Sequence, residues 1–191
     1  MLSSVDLFEL MRSKNDELKH AKGNRLPEWK WTSRQHVDPI ATKELRILAV
    51  TWNMYGTFPE EDVIKQLVRP DIMHDLVVVA TQECMCSLAK SLLNPNKEPW
   101  VQRLSTVLGQ DYIMLTSHSL QGMHLVVFCW QGILKLVTNI RKAHVATGMG
   151  NKMGNKGSVG ISFDIGVTSF LFLCCHLASG HSQQEHRNKS L

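Results

Sequence analysis

The chain has 191 residues, a formal net charge of +4, and 43% apolar against 20% charged side chains. That is enough chain for one ordinary buried core, and too little charge to mark a nucleic-acid or lipid binder by itself. Its five cysteines form no Cys-x-x-Cys pair, which argues against a disulfide framework or a zinc site and for a reducing compartment.

Ser3 to about residue 20 places Val5, Phe8, Met11 and Leu18 among charges and reads as an amphipathic helix. Asp6 and Glu9 stand where a secretion signal needs an unbroken apolar core. Ala21 to Thr42, broken by Gly23, Pro27 and Pro39, reads as a linker or edge strand that packs Trp29 and Trp31. Residues 1–44 are therefore set apart as a helix and linker. Leu45–Trp52 is β-rich, Pro59–Val68 has helical spacing, and the apolar run Leu76–Thr81 has the look of a strand buried on both faces. Helical patterns follow over Ser87–Leu93 and Trp100–Leu108, the second stopped by Gly109. Strands are then expected over Tyr112–Ser117, Met123–Trp130, Leu134–Val145, Ser158–Phe163 and Ser169–Cys175, the last two joined by a turn at Asp164-Ile165-Gly166. Ser182–Leu191 reads as the start of a helix. The run Ile165–Leu177 is shorter than the roughly 20 residues that cross a bilayer, so any membrane contact is expected from outside. Helices early and consecutive strands later predict an α/β sandwich whose mixed sheet is covered by helices on one face.

Thr147–Gly157 holds four glycines and two lysines in eleven residues. Glycine lets backbone N–H groups approach a ligand closely, and Lys152 and Lys156 suit an anionic one. A strand follows this stretch, whereas the familiar phosphate loops lead into a helix. Met153 also occupies the third-glycine place of Gly-x-Gly-x-x-Gly. Two readings stand: a long hairpin turn with solvated lysines, or an anion cradle.

Three polar residues sit where apolar strands stop, and strand ends converge on one rim of a sheet. Glu83 is a surface residue at a strand exit or a ligand for a hard cation. Asn53 is a turn residue or a site residue. His176 is a core histidine, a donor to a phosphoryl oxygen or a proton carrier. Two other chemistries are set aside. Cys175 has His181, not arginine, six positions on, and Gly-x-Ser-x-Gly is absent.

In order, Thr51-Trp52-Asn53-Met54-Tyr55-Gly56, Gln82-Glu83, Gly154-Asn155-Lys156-Gly157-Ser158-Val159 and Cys175-His176-Leu177-Ala178-Ser179-Gly180 resemble the successive motifs of the inositol polyphosphate 5-phosphatases. That family belongs to the endonuclease/exonuclease/phosphatase superfamily. The likeness runs from about Leu45 to Asn188, and Thr147-Gly148-Met149-Gly150 with the Ser182-Gln183 to Arg187-Asn188 tail points to the synaptojanin-like branch. The resemblance implies a four-layer α/β/β/α sandwich with a mixed, largely antiparallel sheet, of which residues 45–191 would form the N-terminal half.

It also implies roles. Glu83 would hold Mg²⁺ and Asn53 would help arrange metal and phosphate. His176 would contact the scissile phosphate, and Lys156, with Asn155 and Lys152 beside it, would bind the neighbouring ring phosphate. The implied activity is Mg²⁺-dependent removal of the 5-phosphate from phosphoinositides or soluble inositol phosphates, in the cytoplasm and at the surface of a membrane. In-line attack by water needs charge neutralisation more than covalent help, which suits this residue set. The family pattern also includes Gly-Asp-x-Asn and a closing Asp-His pair, and the fifteen residues after His176 contain no aspartate. Negligible turnover is therefore expected of this chain. The alternatives are a non-catalytic phosphoinositide-binding remnant, or a nuclease of the same superfamily. The nuclease reading wants a basic stripe along a phosphate backbone, whereas these lysines cluster in one loop, so no nucleic-acid partner is expected.

Overall fold

The computed structural model describes residues 44–85, 96–147, 156–180 and 184–188. The expected helix over 3–20, the linker over 21–42 and the helix Ser87–Leu93 lie outside them. In chain order the elements are β1 (Ile47–Asn53), α1 (Glu61–Val68), β2 (Leu76–Gln82), α2 (Glu98–Leu108), β3 (Tyr112–Leu120) and β4 (Met123–Trp130). A 3-10 turn (Gln131–Leu136) leads to β5 (Val137–Ala146), β6 (Gly157–Ile165), β7 (Thr168–His176) and a short α3 (Gln184–Asn188).

The strands form two sheets, one of order β1-β2-β4-β3 and one of order β5-β6-β7. The first is mixed, since β1 runs parallel to β2 while β2 and β3 run antiparallel to β4; the second is antiparallel throughout. β2 is buried along its whole length because its two faces serve two cores. Val77 and Val79 join Ile64, Val68, Trp100, Leu104 and Phe128 under the helices. Leu76, Val78 and Ala80 join Leu125, Val127, Val159, Ile161 and Phe163 between the sheets. Side chains on a strand alternate between faces, so an unbroken apolar run is what a central strand with two cores requires. The described residues thus make three layers, helices over a mixed sheet over an antiparallel sheet, in agreement with the expected α/β sandwich.

Several boundaries shift by one to three residues from the sequence reading, and two of the differences have a clear cause in the packing. The stretch before β5, expected to be strand from Leu134, coils as a 3-10 turn that buries Ile133 completely. The β6–β7 turn is Gly166-Val167, with Ile165 paired to Thr168 and Asp164 to Ser169. Ile165 stays in the strand because its side chain belongs to the core between the sheets. The left-handed turn position falls to Gly166, at φ +58°.

Candidate phosphate and cation site

Three strand ends meet at one rim. β1 and β2 are parallel and in register, Asn53 opposite Gln82, so both expose their C-terminal ends on the same side and Glu83 is the next residue out. The pairing continues past the strands: Met54 N–H donates to the Gln82 carbonyl and Gly56 N–H to the Glu83 carbonyl, both at 2.9 Å. β7 ends at His176, opposite Gly157 of β6, which sets Lys156 beside it. Gln82 joins the sheets at this end, its amide nitrogen lying 3.2 Å from Thr51 Oγ1 and 3.4 Å from Cys174 Sγ.

Glu83 has a left-handed backbone, φ +52°, a conformation that costs a non-glycine residue energy and persists where its surroundings impose it. Its carboxylate Oε1 accepts from Asn53 Nδ2 at 3.1 Å. Asn53 Oδ1 accepts the Tyr55 N–H at 3.0 Å, and only the carbonyl end of an amide can do so. The NH₂ of Asn53 is thereby aimed at Glu83. Lys156 Nζ lies 2.7 Å from His176 Nε2. An ammonium can only donate, so a charged Lys156 makes Nε2 the acceptor of this contact. His176 Nε2 stands 3.7 Å from Glu83 Oε1, and the two side chains are 13% and 22% exposed. Burial pushes the Lys156 pKa down, and the Glu83 carboxylate works against that shift.

The structure brings Asn53, Glu83, Lys156 and His176 into one chain of contacts; Lys152 and Asn155 lie outside the described residues. Sequence reasoning gave no part to Cys174, and quoted Gln82 and Arg187 only as family resemblance. Arg187 Nη1 donates to the carbonyls of Ala178 at 3.0 Å and Gly180 at 2.7 Å, fixing the turn that follows His176. Nothing in sequence spacing signals those contacts. Burial raises the Cys174 thiol to about 11, which leaves it protonated at neutral pH.

The donor set suits a hard cation. Among the described residues no group of three or more His, Cys, Asp or Glu could hold a metal ion; a single carboxylate holds a hard cation where waters and a substrate phosphate supply the other ligands. Glu83 fits that role. Asn53, with its amide nitrogen on Glu83 and its oxygen on Tyr55, orients the carboxylate from the side.

Residues 50–191 match the model of the endonuclease/exonuclease/phosphatase family 2. Human synaptojanin-2 is 37% identical over 120 residues, covering 60% of this chain and 8% of that protein. A zebrafish phosphatidylinositol 3,4,5-trisphosphate 5-phosphatase 2B is 32% identical over 164 residues, covering 76% of this chain and 13% of that one. A phosphatidylinositol 4,5-bisphosphate 5-phosphatase of Saccharomyces cerevisiae is 30% identical over 159 residues, covering 76% and 17%. Among solved structures, the inositol polyphosphate 5-phosphatase domain of SPsynaptojanin, in complex with inositol (1,4)-bisphosphate and calcium ion, superposes with a TM-score of 0.67 at 26% identity. That match covers 77% of this chain and 45% of that one, so the chain spans under half of the solved domain and a small part of its curated relatives. Cimex nitrophorin, at 19% identity and a TM-score of 0.57, shares the fold alone.

Proposed function

The chain belongs to the endonuclease/exonuclease/phosphatase family 2, and we propose that it is the phosphate-binding and cation-binding half of a phosphoinositide or inositol polyphosphate 5-phosphatase. One observation carries this reading. Asn53, Glu83 and His176, from the ends of β1, β2 and β7, and Lys156, from the start of β6, form a single linked cluster, which suits a phosphate flanked by a second phosphate and countered by a metal. The relatives' printed activities support the substrate class.

In this reading Glu83 holds Mg²⁺, which when bound neutralises charge on the phosphoryl oxygens. Asn53 keeps the Glu83 carboxylate turned toward the cation. His176 lies against the scissile 5-phosphate. Lys156 lies beside it, where its ammonium meets the neighbouring 4-phosphate, assisted by Lys152 and Asn155. Lys156 now contacts His176, so an arriving phosphate would take the ammonium from the imidazole and form a charge-assisted bond with it. The cytoplasmic surface of a membrane is the proposed place of action, with lipid headgroups or soluble inositol phosphates as ligand.

The roles proposed here cover the phosphates and the cation, and assign no residue to the activation of water. The purified 191-residue chain, given Mg²⁺ and phosphatidylinositol 4,5-bisphosphate, is expected to release negligible phosphate. Robust release would overturn the division of labour proposed here.

A further inference from the structure

A second polar cluster, sharing no residue with the phosphate site, lies between edge strands of the two sheets. β3 is the edge strand of one sheet and β5 the edge strand of the other. Across that seam His118 Nε2 and His144 Nδ1 stand 3.1 Å apart in a solvent-accessible setting, with ring centroids 5.2 Å apart and planes tilted by 48°. Two imidazole nitrogens so placed share a proton or a metal ion. Nitrogens each about 2.0 Å from one tetrahedral zinc stand about 3.3 Å apart, close to the observed separation. Neither β3 nor β5 carries an aspartate, glutamate or cysteine, so hard cations gain nothing here and the ligand set selects ions that prefer imidazole.

We propose that His118 and His144 form a two-histidine site for a divalent transition-metal ion of the zinc class, completed by water. Such an ion staples the edges of the two sheets at the root of the glycine-lysine loop. That root lies close by: β5 ends at Ala146, and Thr147 N–H then donates to the Lys156 carbonyl at 3.1 Å. Lys142, whose Nζ reaches the Ser117 carbonyl at 3.4 Å, is a like charge beside the site and weakens it.

The test is a calorimetric titration of ZnCl₂ into the reduced, metal-free 191-residue chain and its variants at neutral pH. Cysteines and other histidines also bind zinc, so the readout is the difference between variants. His118→Gln and His144→Gln should each remove the same single binding equivalent. Glu83→Gln should leave that equivalent in place, and Lys142→Gln should tighten it severalfold. An equivalent that survives either histidine substitution, that vanishes with Glu83→Gln, or that weakens with Lys142→Gln overturns the assignment.

Discussion

Glu83 combines a strained backbone with a demanding task. A left-handed conformation at φ +52° costs a non-glycine residue on the order of 1–3 kcal/mol, partly offset for glycine by its larger entropy loss on folding. Glu83→Gly is therefore expected to raise stability by about 1 kcal/mol, read as a higher Tm, while abolishing Mg²⁺ binding at the rim. A variant that loses both would show that Glu83 is held for packing alone. Lys156 offers a complementary test. Its ammonium would form a charge-assisted bond to phosphate worth about 2 kcal/mol, so Lys156→Ala should weaken inositol phosphate binding roughly thirtyfold. Asn53, Glu83 and His176 were legible in the sequence because polar side chains directly after apolar runs announce a strand exit. The contact between Lys156 and His176 was not, since it depends on the β6–β7 register that sets Gly157 opposite His176.

At the scale of elements, the glycine-lysine stretch is closed at its C-terminal end by Gly157. Its φ is +148°, and a Cβ there would meet the Val145 carbonyl oxygen at 2.1 Å, a backbone contact that cannot yield cheaply. Gly157→Ala should therefore separate β5 from β6 at the loop, costing more than the 0.5–3 kcal/mol of an ordinary substitution. Thermal unfolding checks this, and a wild-type Tm would contradict it. The elements most legible in the sequence were those set by one strong pattern: β2 by its apolar run, α2 by helical spacing ending at Gly109, β4 by its boundaries. The 3-10 turn before β5 escaped because Ile133 is apolar for the sake of the core between the sheets. Over so short a run, a buried turn and a strand entry share the same composition. The turn at Gly166-Val167 was misplaced for a similar reason. Asp164 invites a turn by composition, yet it is paired with Ser169 and accepts hydrogen bonds from Asn139 and Ser169, each at 2.6 Å.

The molecule as a whole depends on keeping a histidine neutral in its interior. His124 lies on β4 between Thr81 of β2 and Ser119 of β3. Burial, followed by the charge of Lys97, lowers its pKa from 6.5 to about 4. The unfolded chain thus binds a proton that the folded chain refuses. The stabilisation is complete above the unfolded value near 6.5 and is lost as pH falls through about 4. A shift of that size amounts to roughly 3 kcal/mol, enough to make acid unfolding begin in the mildly acidic range. His124→Gln should flatten that part of the stability–pH curve, whereas a curve of unchanged slope would assign acid sensitivity elsewhere.

The layering that buries His124 also brings the ends of β1, β2 and β7 to one rim, and binding there is the account's central claim. Its most direct test is calorimetric titration of inositol 1,4,5-trisphosphate into the 191-residue chain with and without Mg²⁺, repeated with Glu83→Gln. Saturable binding that Mg²⁺ strengthens in the wild type but not in Glu83→Gln is the predicted result. Binding indifferent to Mg²⁺ and to Glu83, or no binding at all, would contradict the assignment of this rim as a phosphate and cation site.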